Sequence, residues 1–461
     1  MPETPRDRER LLGRRLRKVV PRSAHGEWEP PAGRADPLAV LEAENAGRIP
    51  ALVPVRWGRM LESPFAFLRG AAGVMAGDLA STPTVGVHVQ LCGDAHVANF
   101  GVFASPERRL LFDVTDFDET TPGPWEWDLK RLATSVVLAA REAEVRAVGQ
   151  RGAARAAARA YRRHMARFAR MGTLEVWYER VDAKAALRAV GRPAAVEHRF
   201  AAARQRTSWA ALPALTVLED GGRRRIADHP PLVTHAGTEE HAAALADTLE
   251  RYRASLEDDR RALLERFELV DVAAKVVGVG SVGTRCFVTL FMSDDREPLF
   301  LQVKEARPSA GAPPVPRLRA HARVAAQARR GATQARRSGG RRVVGGQRLM
   351  QAASDIFLGW VTTDGTDYYL RQLRDMKGSV DPGRLQARDL ADYAELCGWA
   401  LARAHARSGA AASIAGYAGS GTVLDEAVAR FALSYADQTE RDHAALVRAA
   451  RDGRIVATPG T

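Results

Sequence analysis

From Phe267 to Ala306 the chain reads FELVDVAAKVVGVGSVGTRCFVTLFMSDDREPLFLQVKEA, and here its hydrophobic period changes. Val, Phe, Leu and Thr alternate in the manner of half-buried strands, and the turn-rich SDDREP separates two apolar runs. DIFLGWVTTDGTDYYLRQL repeats the pattern, with Asp364-Gly365 as its hairpin turn. Both hairpins interrupt a chain whose apolar spacing is otherwise mostly helical. WEWDLKRLATSVVLAAREAE, residues 151–171, residues 239–266, RDLADYAELCGWALARAHARSG and VLDEAVARFALSYADQTERDHAALV all carry it. Strands grouped rather than alternating with helices predict an α+β protein, with a large helical lobe and a smaller β-rich one. The expected boundaries are a basic, flexible leader over 1–36, a helical lobe over 37–264, a β-rich lobe over 265–384, and C-terminal helices over 385–461 that complete the helical lobe.

Length and composition limit the rest. At 461 residues the chain can bury two or three lobes. The cysteines Cys92, Cys286 and Cys397 are far apart and form no CxxC, so neither a disulfide framework nor a zinc site is expected. No apolar run approaches eighteen residues, and no signal-like stretch opens the chain, so a cytoplasmic protein without a membrane partner is expected. The formal net charge is +13, and eleven arginines without an acid lie between Ala306 and Ser354. A solvated helix and loop is the plain reading of that segment. The alternative is a surface for a phosphate-bearing partner, a nucleic acid included. No aromatic residue interleaves its central arginines, which argues against base stacking.

Gly278, Gly280 and Gly283 spell GxGxxG, with Ser281 between the last two. A dinucleotide fold needs a helix straight after the third glycine. TRCFVTLF follows instead and reads as a strand. Strand, glycine loop, strand is the arrangement that covers ATP phosphates in kinases, and a plain glycine-rich turn is the alternative. The next strand ends at Lys304, where such a fold carries its phosphate-pairing lysine.

LCGDAHVANFG holds Asp94, His96 and Asn99, and LFDVTDFDET adds Asp113, Asp116 and Asp118. A kinase catalytic loop places its general base five residues before a metal-binding Asn, the spacing of Asp94 and Asn99. Asp116 suits the metal ligand at a later strand end, and Asp118 is an alternative or second ligand. All of these donors are oxygens, which fits Mg2+. Asp113 faces away from Asp116 if the strand continues. His96 orders the loop, contacts a phosphate, or binds the metal. Asp94-x-His96 also matches the start of a dinuclear metallophosphatase, but the required Gly-Asn-His is missing.

GDAHVANF resembles the GDxHxxN loop of aminoglycoside-phosphotransferase-like small-molecule kinases, and TDFDET with WEWDLKRL resembles the segment after it. Most of residues 55–450 is also similar to a bacterial domain family of unknown function grouped with kinase-like folds. These resemblances imply a protein-kinase-like two-lobe fold, ATP and Mg2+, and a small-molecule hydroxyl acceptor. They make Asp128 a prop for the catalytic loop.

Two departures accompany the resemblance. Kinases run glycine loop, lysine, catalytic Asp, metal Asp, whereas here the acids come first. That order implies a circular permutation, with ALARAHARSG as the helix that leads into the catalytic loop. Apart from Glu305, which alternation points the other way, no acid follows Lys304 until Asp355 to serve as its usual partner. A catalytically inactive nucleotide-binding regulator is therefore the alternative to an enzyme.

Overall fold

The structure is a computed structural model that describes residues 4–189, 194–235, 242–310, 338–373 and 375–458. In chain order its strands are β1 (His88–Leu91), β2 (Phe100–Ala104), β3 (Leu110–Val114), β4 (Thr121–Pro124), β5 (Thr216–Leu218), β6 (Arg224–Ile226) and β7 (Val233–Thr234). Then follow β8 (Phe267–Lys275), β9 (Cys286–Ser293), β10 (Pro298–Glu305), β11 (Gly359–Thr363), β12 (Thr366–Gln372) and β13 (Gly378–Ser379). The protein is of mixed α+β class, and the two hairpins read from the sequence are β9–β10 and β11–β12. Asp364 and Gly365 take the positive φ values, 49° and 70°, that a tight hairpin turn requires.

An antiparallel six-stranded sheet runs β11-β12-β10-β9-β8-β7. The period of two along β10 decides what each face does. Leu299, Leu301 and Val303 enter a core with Tyr252, Leu256 and Leu264. Phe300, on the other face, packs with Leu212, Val288 and Leu290. Lys304 follows Phe300 and Gln302 on that second face, opposite Cys286 of β9 and Tyr369 of β12.

The helices under this sheet belong to 208–264, which the pattern had placed in the helical lobe. Ser208–Leu215, Ala242–Arg253 and Asp258–Leu264 bury their apolar sides on it, and β7 is its edge strand. Helical periodicity marks which side of a helix is buried, not which partner buries it.

The largest core joins Trp125–Glu142, Ala147–Phe168, Ala387–Ala406 and Val423–Arg451 to β1, β2 and β3. Alanine lets these helices approach closely. A Cβ at Gly398 would stand 2.2 Å from the Ala157 carbonyl oxygen. β2 pairs with β3 on one side and β13 on the other in a separate sheet, and β1 pairs with β4, so the acid-bearing loops leave short strands, β1 half-buried in alternation and β3 buried throughout. Leu373 and residues 375–377 lie between β12 of the large sheet and β13; Arg374 lies outside the described residues.

The leader over 1–36 is not loose. Pro5–Val19 is a helix with a Thr4–Asp7 capping box, and a Cβ at Gly13 would lie 2.0 Å from the Ser413 oxygen. Arg17 and Arg22 donate to the carbonyls of Tyr417 and Ala418, each at 2.8 Å, which are orphan acceptors at a helix end. Arg17 and Arg22 therefore dock this segment, while Arg6, Arg8, Arg10, Arg14, Arg15 and Lys18 stay exposed.

Of the arginine-rich 306–354, residues 311–337 lie outside the described residues. In the flanks, Arg307 and Arg348 donate to the carbonyls of Glu44 and Leu358, at 3.2 and 2.8 Å. Arg341 stacks over Trp360. Among the described residues, no helix is long and apolar enough to cross a membrane.

Candidate functional site

The loop after β1 is fixed from behind. Gly93 takes φ +82°, and a Cβ there would meet the Glu119 carbonyl oxygen at 2.0 Å, so only glycine passes. Asp128, in the first turn of Trp125–Glu142, accepts from the backbone N–H groups of Cys92 at 2.7 Å and Gly93 at 3.0 Å. His405 Nε2 lies 3.1 Å from the same carboxylate, and its Nδ1 lies 2.8 Å from the Tyr161 hydroxyl. Asp128 thus sits beneath the loop, not in the cleft.

Three residues on, one helical turn away, Arg131 reaches past Asp128 to the Asp94 carboxylate, with Nε 2.6 Å from Oδ1. Asn99 donates to the Asp94 carbonyl at 2.8 Å, which closes the loop on itself. His96 Nε2 lies 3.7 Å from Asp94 Oδ2, and its Nδ1 is buried with no hydrogen-bond partner.

Asp116 and Asp118 follow β3. The Lys304 ammonium pairs with Asp118 Oδ2 and stands 3.7 Å from Asp116 Oδ1. Ser281 Oγ donates to Asp118 Oδ2 at 2.9 Å, and the Tyr369 hydroxyl donates to Oδ1 at 2.5 Å. So the partner missing from the sequence after Lys304 comes from 186 residues earlier in the chain. The helix Gly339–Met350 sends Arg342 into the same loop, where it donates to the carbonyls of Asp118 at 2.9 Å and Thr120 at 2.7 Å. Asp113 faces away: it is fully buried and pairs with Arg403 at 2.7 Å.

The glycine segment is a short 3-10 turn, Val279–Ser281, and its Val279 side chain joins a core cluster with Trp57, Phe67 and Leu446. Gly278, Gly280 and Ser281 line one cleft of about 550 Å³ together with Asp94, His96, Asn99, Asp116, Asp118 and Lys304. Gly283 does not line it. With φ +86°, it lies under the Arg48 side chain.

Burial pushes the Asp94 and Asp116 carboxyls above the usual range, against the pull of Arg131 and Lys304 respectively. Burial also opposes ionisation of Asp118. There the Lys304 charge and the hydrogen bonds from Lys304 and Tyr369 prevail and hold it at about 2. Lys304 is correspondingly raised, because its two carboxylates outweigh burial. Burial, with Arg69 and Arg131 nearby, keeps His96 neutral. Glu119, another cleft residue, is pushed by burial to about 7.

The cleft therefore offers two kinds of group. Asn99, Asp116 and Asp118 supply only oxygen donors, which suits a hard divalent cation that keeps several outside ligands. No group of three or more His, Cys, Asp or Glu residues capable of holding a metal occurs among the described residues. A cation here would thus need the Asn99 amide and oxygens of a bound substrate. In contact with Asp118 stand Lys304 and the Gly278–Ser281 turn, groups suited to phosphate oxygens. The sequence reading missed Arg131, Tyr369, Arg342, Arg69 and Glu119. The three-residue spacing from Asp128 could have singled out Arg131, whereas the others carry no local signal.

With this geometry in place, comparison with known proteins assigns the family. Residues 48–449 match a family described as an uncharacterized protein conserved in bacteria, DUF2252, and the chain belongs to it. Neither the curated proteins nor the solved structures yield a match to this chain.

Proposed function

We propose that this chain is an ATP- and Mg2+-dependent phosphotransferase with a circularly permuted, protein-kinase-like two-lobe fold, acting on a hydroxyl of a small-molecule acceptor. The observation that carries the reading is the meeting of Lys304 and Gly278–Ser281 with Asp94, Asn99, Asp116 and Asp118 in one cleft. The permutation gains support at the end of Ala387–Ala406. Just beyond that helix, the Ser408 hydroxyl accepts from the Gln90 N–H of β1 at 2.9 Å, so the C-terminal helices adjoin the strand that feeds the loop.

In this reading Gly278 and Gly280 turn their backbone to the nucleotide phosphates, Ser281, whose N–H donates to the Gly278 carbonyl at 2.9 Å, offers its hydroxyl, and Lys304 turns from Asp118 to a phosphate oxygen. Asn99, Asp116 and Asp118 would hold Mg2+, which would neutralise charge on the phosphates. Asp94 takes the acceptor's hydroxyl proton. The acceptor oxygen bonds to the terminal phosphorus, the bridging P–O bond breaks, and ADP leaves with its electron pair. His96 and Asp128 keep the loop in place.

The Arg131–Asp94 pair favours a second reading, a nucleotide-binding regulator without turnover, because a carboxylate held by a guanidinium is a weaker base. One assay separates the two. ADP formation from Mg·ATP is followed across a panel of hydroxyl compounds, alongside calorimetric nucleotide binding. Turnover that falls about 10²–10⁴-fold in Asp94→Asn supports the enzyme. Binding without turnover supports the regulator, and turnover at the parental rate in Asp94→Asn removes Asp94 as the base.

A further inference from the structure

Arg69 closes the helix Pro64–Gly70 and lines the cleft. Most other cations in the cleft are engaged. Lys304 is on Asp118, Arg371 donates to the Thr115 carbonyl at 3.0 Å, Arg48 donates to Val282 at 2.5 Å, and Arg307 donates to Glu44 at 3.2 Å. The Arg69 side chain makes no hydrogen bond or ion pair among the described residues, and its Nε is buried without a partner. The guanidinium lies over the Phe65 ring, with Cζ 5.9 Å from the centroid. A buried guanidinium donor left without an acceptor implies a missing anion or water.

Its position indicates which anion. The Arg69 backbone oxygen lies 3.2 Å from where a Cβ on Gly280 would stand, so this residue abuts the tip of the glycine turn. Its charge also acts directly on Asp94 and His96. Arg69 thus adjoins the turn that would cover the phosphates and acts on the carboxylate that would meet the acceptor. The group passing between those two is the terminal phosphoryl. A guanidinium presents a planar fork of donors matched to phosphoryl oxygens, and in phosphoryl transfer such a group stabilises charge on the group in transit.

We propose that Arg69 is a catalytic residue that grips the terminal phosphoryl group of a bound nucleoside triphosphate and contributes nothing to holding the diphosphate. This inference rests on the phosphotransferase reading and goes beyond it, since neither the sequence motifs nor the resemblance singles out Arg69.

The test compares a triphosphate and a diphosphate on the same variants. Affinities for Mg·AMP-PNP and Mg·ADP are measured by calorimetry on the full chain, the Arg69→Gln variant and the Arg69→Lys variant. Thermal melts confirm folding, and the lysine variant keeps the charge should glutamine disturb packing at Phe65. Arg69→Gln is expected to weaken AMP-PNP binding roughly tenfold or more while leaving ADP binding within about twofold, and Arg69→Lys to recover part of the loss. Equal weakening of both nucleotides, or of neither, overturns the proposal and leaves the phosphotransferase reading standing. Parental protein that binds neither nucleotide overturns that reading and the inference with it.

Discussion

At the scale of single residues, the cleft is a set of carboxylates held in unlike states by unlike neighbours. Asp118, at about 2, is ionised through its ammonium and phenol partners, whereas Glu119, next in the chain, stays protonated until about pH 7. Glu119 keeps one backbone partner, the Ala310 N–H at 2.6 Å, and this does not offset its burial. A glutamate of the unfolded chain ionises near 4.5, so between that value and about 7 the native state binds the extra proton. Stability must therefore fall as pH rises through that window. Urea unfolding at pH 5.0 and pH 7.5 should show this loss in the parent and a smaller one in Glu119→Gln, whose amide oxygen still accepts from Ala310. An equal loss in both proteins would contradict the assignment. At this scale the sequence was most legible where spacing carried the message: Asp94 and Asn99 five apart, and Asp113 turned inward by alternation, whereas Asp128 beneath the loop was an implication of the resemblance alone. It was silent on Tyr369, Arg342 and Arg69, because each reaches the cleft from a distant part of the chain.

At the scale of elements, the glycine segment is held from outside as well as from the sheet. Arg48 donates to Val282, the Ile49 N–H donates to the Gly283 carbonyl at 2.7 Å, and Val279 is buried with Leu38, Leu41 and Trp57. The helices Pro37–Asn45 and Val53–Leu61 thus act as a clamp on a turn whose glycines would otherwise leave it mobile. Burying one valine is worth about 1.5 kcal/mol, so Val279→Ala should speed amide exchange over 277–283 by roughly tenfold. Exchange in Val423–Arg451 should hold steady. Unchanged exchange over 277–283 would show that the clamp does not depend on Val279. Elements whose pattern is local were legible in advance: both hairpins, the acid loops and the long helices. The assignment of 208–264 to the sheet was not, because an amphipathic helix fits a sheet or another helix equally well. Nor was the docking of residues 5–19. A basic, proline-bearing start reads as solvated until the carbonyl ends it caps are known.

At the scale of the whole molecule, segments far apart in the chain are tied by ions whose partners lie hundreds of residues away. Arg34 lies between Asp78 and Asp442, at 2.8 and 2.6 Å, and joins the beginning of the chain to its last long helix. Arg403 on Asp113 does the same for the C-terminal helices and β3. Such nearly dry pairs add little net stability, since desolvation offsets their attraction, but breaking one leaves a buried charge unmatched at a cost of about 3–5 kcal/mol. They fix which elements face each other, and so they keep β1 and β3 aimed at the large sheet. The candidate site depends on that convergence, which makes one cleft from acids before residue 120 and a lysine after residue 300. Calorimetric titration of Mg·AMP-PNP into the parent, Lys304→Met and Asp116→Asn tests it most directly. Saturable one-to-one binding is expected in the parent, weakened at least tenfold by either substitution. Absence of binding in the parent, or binding that neither substitution disturbs, would contradict it.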